Sequence, residues 1–328
     1  MGLSGFSEGD YIKTIDDLFF AVKGGRHRDN LIIAVLRYIP DYNGERFHNG
    51  KYYTRVYDLE STTRFLKNNY PDYINYIDWL GLELQSVPIN YVAEVYKPDK
   101  KLQKIMEKPA SSFEESLTNF IKRLSETSCV PSTSFGISGS FLIGLEKEGS
   151  DIDLNVYGES EGKKVYDALK ILRESEDWIS PYDKDSVESV LMSRWGNIGL
   201  DLNKMRKIEC EKVLHGLVFD VDYFIRLLIE DEETTSKPIG VATISATIIN
   251  STYSIFTPCI YQIKDASIVD IASDYDIIEL KSYRGKFTEQ VSEGDKIIAR
   301  GTIERVMRES VTYYRLMLGQ KGDYLISI

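Results

Sequence analysis

The chain has 328 residues, 42% of them hydrophobic and 28% charged, with a formal net charge of −11. That balance fits a globular protein of two or three domains, and no apolar run approaches the ~20 residues that span a bilayer. Net acidity argues against a protein that coats long nucleic acid, whose affinity comes from Lys and Arg at phosphates. Three scattered cysteines (Cys129, Cys210, Cys259) form no Cys-x-x-Cys pair, which excludes a disulfide framework or zinc site. Met1 to Glu8 show no basic stretch leading into an apolar core, so no secretory leader and a cytoplasmic location are expected.

Residues 1–100 read as an N-terminal α+β domain. Tyr11–Val22 and Leu31–Ile39 are rich in residues of high β-propensity, and Gly24–Asn30 between them suits a hairpin loop. Asp16 and Asp17 are neighbours on the chain, would point to opposite faces of a strand, and so read as turn residues and not a metal site. Lys51–Tyr57 has strand character, Asp58 suits the N-cap of a helix carrying Leu59, Thr63 and Leu66, and Ser86–Tyr96 reads as a further strand. A Lys-rich helical connector, Pro98–Pro109, leads to Ser111, which with Glu114 forms a capping-box start. Phe113, Leu117, Phe120, Ile121 and Leu124 then recur at helical spacing and give one apolar face.

The most informative stretch is 135–157. A short apolar strand, Phe135–Ser138, runs into Gly139-Ser140, a helical run Phe141–Leu145, a charged loop, and Ser150-Asp151-Ile152-Asp153-Leu154. Alternation puts Asp151 and Asp153 on one face of a strand. Two such carboxylates repel unless a cation sits between them, and hard divalent ions take oxygen ligands of this kind. Gly139 lets backbone approach a ligand, and the N–H groups after Ser140 suit a phosphate.

An apolar residue, Gly-Ser, ten intervening residues from Ser140 to Asp151, and Asp-x-Asp between apolar neighbours together resemble the signature of the DNA polymerase β-like nucleotidyltransferase superfamily. Arg37–Asp41 and Gly50–Tyr53 extend the likeness to an uncharacterised archaeal family of predicted nucleotidyltransferases, over roughly residues 8–230. The resemblance implies an α+β fold whose catalytic domain, 101–233, has a mixed sheet flanked by helices. It implies Mg²⁺ or Mn²⁺ at Asp151, Asp153 and a third carboxylate, with an NTP as substrate held at Gly139 and Ser140.

For that third carboxylate the strand-like run Leu217–Phe224 offers Asp220 first and Asp222 as the alternative, with Asp201 a weaker choice. Helices are expected at Lys163–Glu174, Ser186–Arg194 and Asn203–Val213. After a polar linker, residues 238–328 are β-rich with Gly, Asp and Ser breaks, and read as a small β-barrel, OB-like in character. Its Tyr283, Arg284, Lys286, Arg305, Arg308, Tyr313, Tyr314 and Arg315 interleave basic and aromatic residues, a composition that suits single-stranded RNA. The expected activity is transfer of a nucleoside monophosphate from an NTP to an acceptor hydroxyl on RNA, a protein or a small molecule. The alternatives are a non-catalytic nucleotide-binding module and an RNA-binding protein led by the barrel.

Overall fold

The computed structural model of the chain describes residues 5–183, 186–196, 199–270 and 275–328. The reading of Met1–Glu8 as free of a leader falls partly outside them. The fold is mixed α and β, in two compact units: residues 1–77 with 82–165, and 78–81 with 166–328. The N-terminal sheet and the Gly-Ser segment both lie within the first of these units.

In the first unit, β1 (Tyr11–Thr14), β2 (Phe19–Val22), β3 (Leu31–Pro40), β4 (Arg46–His48) and β5 (Lys51–Arg55) come before helix α1 (Leu59–Asn69). Then follow β6 (Ile74–Ile77), β7 (Leu82–Pro88) and β8 (Val92–Tyr96). The strands pair in the order β4-β5-β3-β2-β1-β8, with β7 joined to β3 and β6. Asp17 turns the β1–β2 hairpin with φ 59°, as its place in a turn requires. The Asp58 carboxylate caps α1 by accepting from Ser61 N at 2.7 Å.

Alternation along β1 and β2 buries both faces of this sheet. Ile12, Phe20 and Val22 face a core shared with Leu66 of α1, whereas Tyr11, Phe19 and Ala21 face a second core with Leu142, Ile143 and Leu145. A sheet covered on both sides needs near-continuous apolar strands, which is what the sequence Phe19-Phe20-Ala21-Val22 supplies. The unit continues with α2 (Pro98–Glu107), α3 (Ser112–Ser128), β9 (Phe135–Ile137), the short α4 (Gly139–Ile143) and β10 (Ile152–Tyr157). Ser111 Oγ accepts from Glu114 N at 3.2 Å, as the capping pattern predicts.

The boundary between the units falls within α5 (Glu159–Ser175). Beyond it lie β11 (Ile179–Ser180), α6 (Ser186–Trp195), α7 (Leu202–Glu211), β12 (His215–Val218) and β13 (Val221–Leu228). The run expected as one strand over 217–224 is instead a hairpin: β12 pairs antiparallel with β13, and Phe219-Asp220 form its turn with φ 50° and 61°. Neither residue is glycine or asparagine, so the usual hairpin signal is absent. Asp201, the weakest candidate for a third carboxylate, is the N-cap of α7 and accepts from Asn203 N at 2.9 Å and Lys204 N at 3.3 Å.

The remaining strands are β14 (Thr235–Asn250), β15 (Phe256–Thr257), β16 (Cys259–Ile268), β17 (Ile277–Ser282), β18 (Lys296–Arg308), β19 (Val311–Leu318) and β20 (Tyr324–Ser327). Pairings run β14-β16-β17-β19-β18 and return from β18 to β14, with β20 added on β18. The β17–β19 pair is parallel. Ile244, Tyr261, Leu280, Ile303 and Leu316 from these strands share a core with Leu191 and Trp195 of α6 and Met205 of α7.

The basic and aromatic residues singled out in this segment are partly used inside the fold. Arg315 is buried and pairs with Glu304 at 2.8 Å. The Tyr283 hydroxyl donates to Asp231, and Lys286 lies over the Trp195 ring, 4.3 Å from its centroid.

A charged group also lies within this unit. Glu209, fully buried, accepts from Lys212 Nζ at 3.0 Å and from Arg194 at 2.8 Å. Removing one partner of a buried pair leaves an uncompensated charge, which costs roughly 3–5 kcal/mol. Glu209→Ala is therefore expected to lower unfolding free energy by about that amount, read from urea denaturation; a loss within the range of ordinary surface changes would show the pair to be dispensable.

Candidate functional site

The site is built on two short connections. β9 and β10 pair antiparallel, Ile137 opposite Leu154 and Gly136 opposite Asn155. Gly136 is required where the start of α2 meets β9, since a Cβ there would stand 2.7 Å from Pro98 Cβ and 2.8 Å from Asp99 N. The chain then turns into α4 at Gly139, with φ +64°, and leaves it at Gly144, with φ +67°. Five residues of α4 carry Phe141 onto Phe113 of α3, with the rings stacked at 4.4 Å, and Leu142 and Ile143 onto the N-terminal sheet.

These turns bring Gly139 and Asp153 into contact. A Cβ at Gly139 would lie 2.2 Å from Asp153 Oδ2, so only glycine leaves room for the carboxylate. Ser138 N donates to Asp153 O at 2.7 Å and fixes the register of the two segments. Asp153 is nearly buried, while the Asp151 side chain, one step earlier on the same face, is 41% exposed. Ser140 is buried, and its Oγ has no hydrogen-bond partner among the described residues.

Three residues join the site that the motif does not announce. Arg55, at the end of β5, places its guanidinium 3.6 Å from Asp151 Oδ1. Burial works against its charge, but Tyr38 and Asp151 more than offset this and hold the group firmly protonated. Tyr38 on β3, opposite Arg55, is itself buried, and burial pushes its hydroxyl pKa up. Asn155 continues the Asp151, Asp153 face by one more alternate step; it is fully buried, and neither polar atom of its side chain has a partner among the described residues. Gly9 comes so close to it that a Cβ would meet Asn155 Nδ2 at 2.1 Å, and the Gly9 carbonyl accepts from Ser138 Oγ at 2.8 Å.

Asp220 and Asp222 belong to the β12–β13 hairpin of the second unit. Asp220 is exposed in the turn, not on the strand expected for it, and Asp222 is exposed at the start of β13, opposite Leu217. A hydrogen bond links Asp222 to the Tyr182 side chain. Among the described residues no three His, Cys, Asp or Glu side chains form a ready-made metal cage. The donors at Asp151 and Asp153 nonetheless fit a hard divalent ion. Mg²⁺ is commonly held by one or two carboxylates and completes its shell with substrate phosphates and water. The buried Ser140 hydroxyl, next in the chain to Gly139, has no hydrogen-bond partner among the described residues and is available as a donor.

Residues 117–230, which include the Gly-Ser and Asp-x-Asp segments, match the nucleotidyltransferase domain family. Along nearly its whole length the chain is similar to "Uncharacterized protein MJ1086" of Methanocaldococcus jannaschii: 27% identical over 327 residues, 94% of each chain. No solved structure matches. No helix among the described residues is long and apolar enough to cross a membrane.

Gly139→Ala tests the contact at the centre of the site. The added methyl is expected to push Asp153 aside and to strain a left-handed backbone by about 1–2 kcal/mol. Thermal melting should show a modest loss of stability, and Mn²⁺ titration a much larger loss of metal binding. Unchanged metal binding would show that Asp153 does not depend on this packing.

Proposed function

We propose that the chain is a metal-dependent nucleotidyltransferase that moves a nucleoside monophosphate from an NTP to an acceptor hydroxyl, releasing pyrophosphate. The observation that carries this reading is the packing of Asp153 against Gly139, followed in the chain by the buried Ser140, whose hydroxyl has no partner among the described residues. One compact place thus offers carboxylates for a cation and a donor for a phosphate.

Asp151 and Asp153 would hold Mg²⁺ or Mn²⁺, which would supply positive charge to offset that developing on the departing pyrophosphate. Ser140 Oγ donates to a phosphate oxygen of the NTP. The acceptor hydroxyl forms its bond to the α-phosphorus as the bond from that phosphorus to the bridging oxygen breaks. The acceptor's proton passes to a carboxylate acting as general base.

For the third carboxylate we place Asp222 ahead of Asp220, because Asp222 stands on a strand whereas Asp220 turns a hairpin. Asp222→Asn is expected to reduce turnover by at least about a hundredfold, and Asp220→Asn by no more than a few-fold. The reverse order would return the role to Asp220.

The ring of pairings through β14, β16, β17, β19 and β18 supports reading residues 238–328 as a small closed barrel of the OB kind. The internal partners of Arg315, Tyr283 and Lys286 weaken the case for that segment as the main RNA-binding surface. We therefore place RNA among the acceptors to be tested and not as the defining partner.

The decisive test offers each α-labelled NTP with Mg²⁺ or Mn²⁺ to the full chain, together with RNA, protein and small-molecule fractions. Label should move to one fraction with wild type and to none with Asp153→Asn. Nucleotide binding without transfer to any fraction would replace this reading with a binding module.

A further inference from the structure

The N-terminal sheet contributes two arginines near the Gly-Ser and Asp-x-Asp segments, and they differ in what they do. Arg46, almost fully buried, donates to the Leu145 carbonyl and lies over the Tyr38 ring, 5.7 Å from its centroid. Its role is to hold the chain after α4. Arg55 is different. Its guanidinium rests on the Tyr57 ring at 4.7 Å, and its only described ion pair is the 3.6 Å contact with Asp151. That distance is longer than a hydrogen bond, and among the described residues Arg55 donates none. The side chain is 23% exposed, so its planar set of donors remains reachable from solvent.

We propose that Arg55 is a polyphosphate-binding residue that rests on Asp151 until a divalent cation takes that carboxylate, and then pairs with the triphosphate of the incoming nucleotide. This rests on the reading given under Proposed function and adds a ligand from outside the motif. A guanidinium and a dication repel each other, so a cation at Asp151 weakens the hold of Arg55 on that carboxylate. The triphosphate arriving with the cation carries several anionic oxygens, which a guanidinium binds in bidentate fashion. The Tyr57 ring, 4.7 Å from the Arg55 guanidinium, offers it a cation–π contact that does not use its N–H donors.

This double role predicts effects of opposite sign. Arg55 opposes binding of the cation alone and favours binding of the cation with polyphosphate. Inorganic tripolyphosphate is a suitable probe because it needs no knowledge of the preferred base. With full-length protein, free Mn²⁺ is followed by electron paramagnetic resonance, first alone and then with tripolyphosphate, for wild type, Arg55→Ala, Arg55→Gln and Arg55→Lys. Arg55→Ala and Arg55→Gln are expected to bind Mn²⁺ alone a few-fold more tightly, and tripolyphosphate with Mn²⁺ about tenfold more weakly. Arg55→Lys should keep part of the polyphosphate affinity but lose the bidentate share.

A structural role alone would weaken both affinities together, and that result overturns the proposal even if Arg55→Ala folds poorly, since Arg55→Gln and Arg55→Lys report the same pair of signs. Unchanged tripolyphosphate affinity in the variants also overturns it, while leaving the carboxylate metal site intact. Wild type that binds neither Mn²⁺ nor tripolyphosphate removes the nucleotidyltransferase reading itself, and this inference with it.

Discussion

The contact between the Asp153 carboxylate and the Gly139 backbone is the constraint on which the site depends. It requires a residue without a Cβ, a left-handed turn into α4, and a register in which Ser138 N reaches Asp153 O. Each condition depends on the others. A one-residue shift of β10 against β9 would turn Asp153 to the opposite face, and a longer α4 would carry Gly144 out of its turn.

That rigidity originates outside the motif. Leu142, Ile143 and Leu145 enter a core made with Tyr11, Phe19, Ala21, Tyr38 and Tyr53 of the N-terminal sheet. Full burial of such aliphatic side chains stabilises by roughly 1.5–3 kcal/mol each, which is large against the few residues that α4 contains. The β4–β5 hairpin also reaches this region, through Arg46 on the Leu145 carbonyl and through the 2.7 Å ion pair of Glu45 with Lys147. One sheet therefore fixes the turn into α4 with apolar contacts and the loop after it with polar ones.

Much of this could be read from the sequence because the relevant signals are local. Gly139-Ser140 and Asp151-Ile152-Asp153 are near neighbours, so spacing and alternation are enough to bring them together. Asp58 and Ser111 announce their helices by capping chemistry. Arg55 was not legible, because nothing within its own stretch connects it with a carboxylate far along the chain. Asn155 was missed for another reason: it extends the alternation by one step, but an asparagine on a strand carries no charge that asks for a partner. The β12–β13 hairpin reads as one strand in the sequence because Phe219 and Asp220 adopt positive φ without glycine, and the Asp201 pattern does not reveal that its Oδ1 caps a helix. The later cover of the N-terminal sheet is also silent in its own sequence, because a sheet buried on both faces has the same apolar content whether the second cover comes from its own segment or from a later one.

The two-sided burial of the N-terminal sheet bears on how such a protein can be taken apart or recombined. The stretch that matches the nucleotidyltransferase family, residues 117–230, lacks the N-terminal strands on which its Leu142, Ile143 and Leu145 pack. Excised, it would present the apolar side of α4 to water and would lack the wall that sets Asp151 beside Arg55. A gene rearrangement that moved this stretch into another protein would have to bring an equivalent sheet or lose the shape of the site. Inheritance should thus keep the front of the chain and the Asp-x-Asp strand together, and the similarity to the M. jannaschii protein along 94% of both chains has that form.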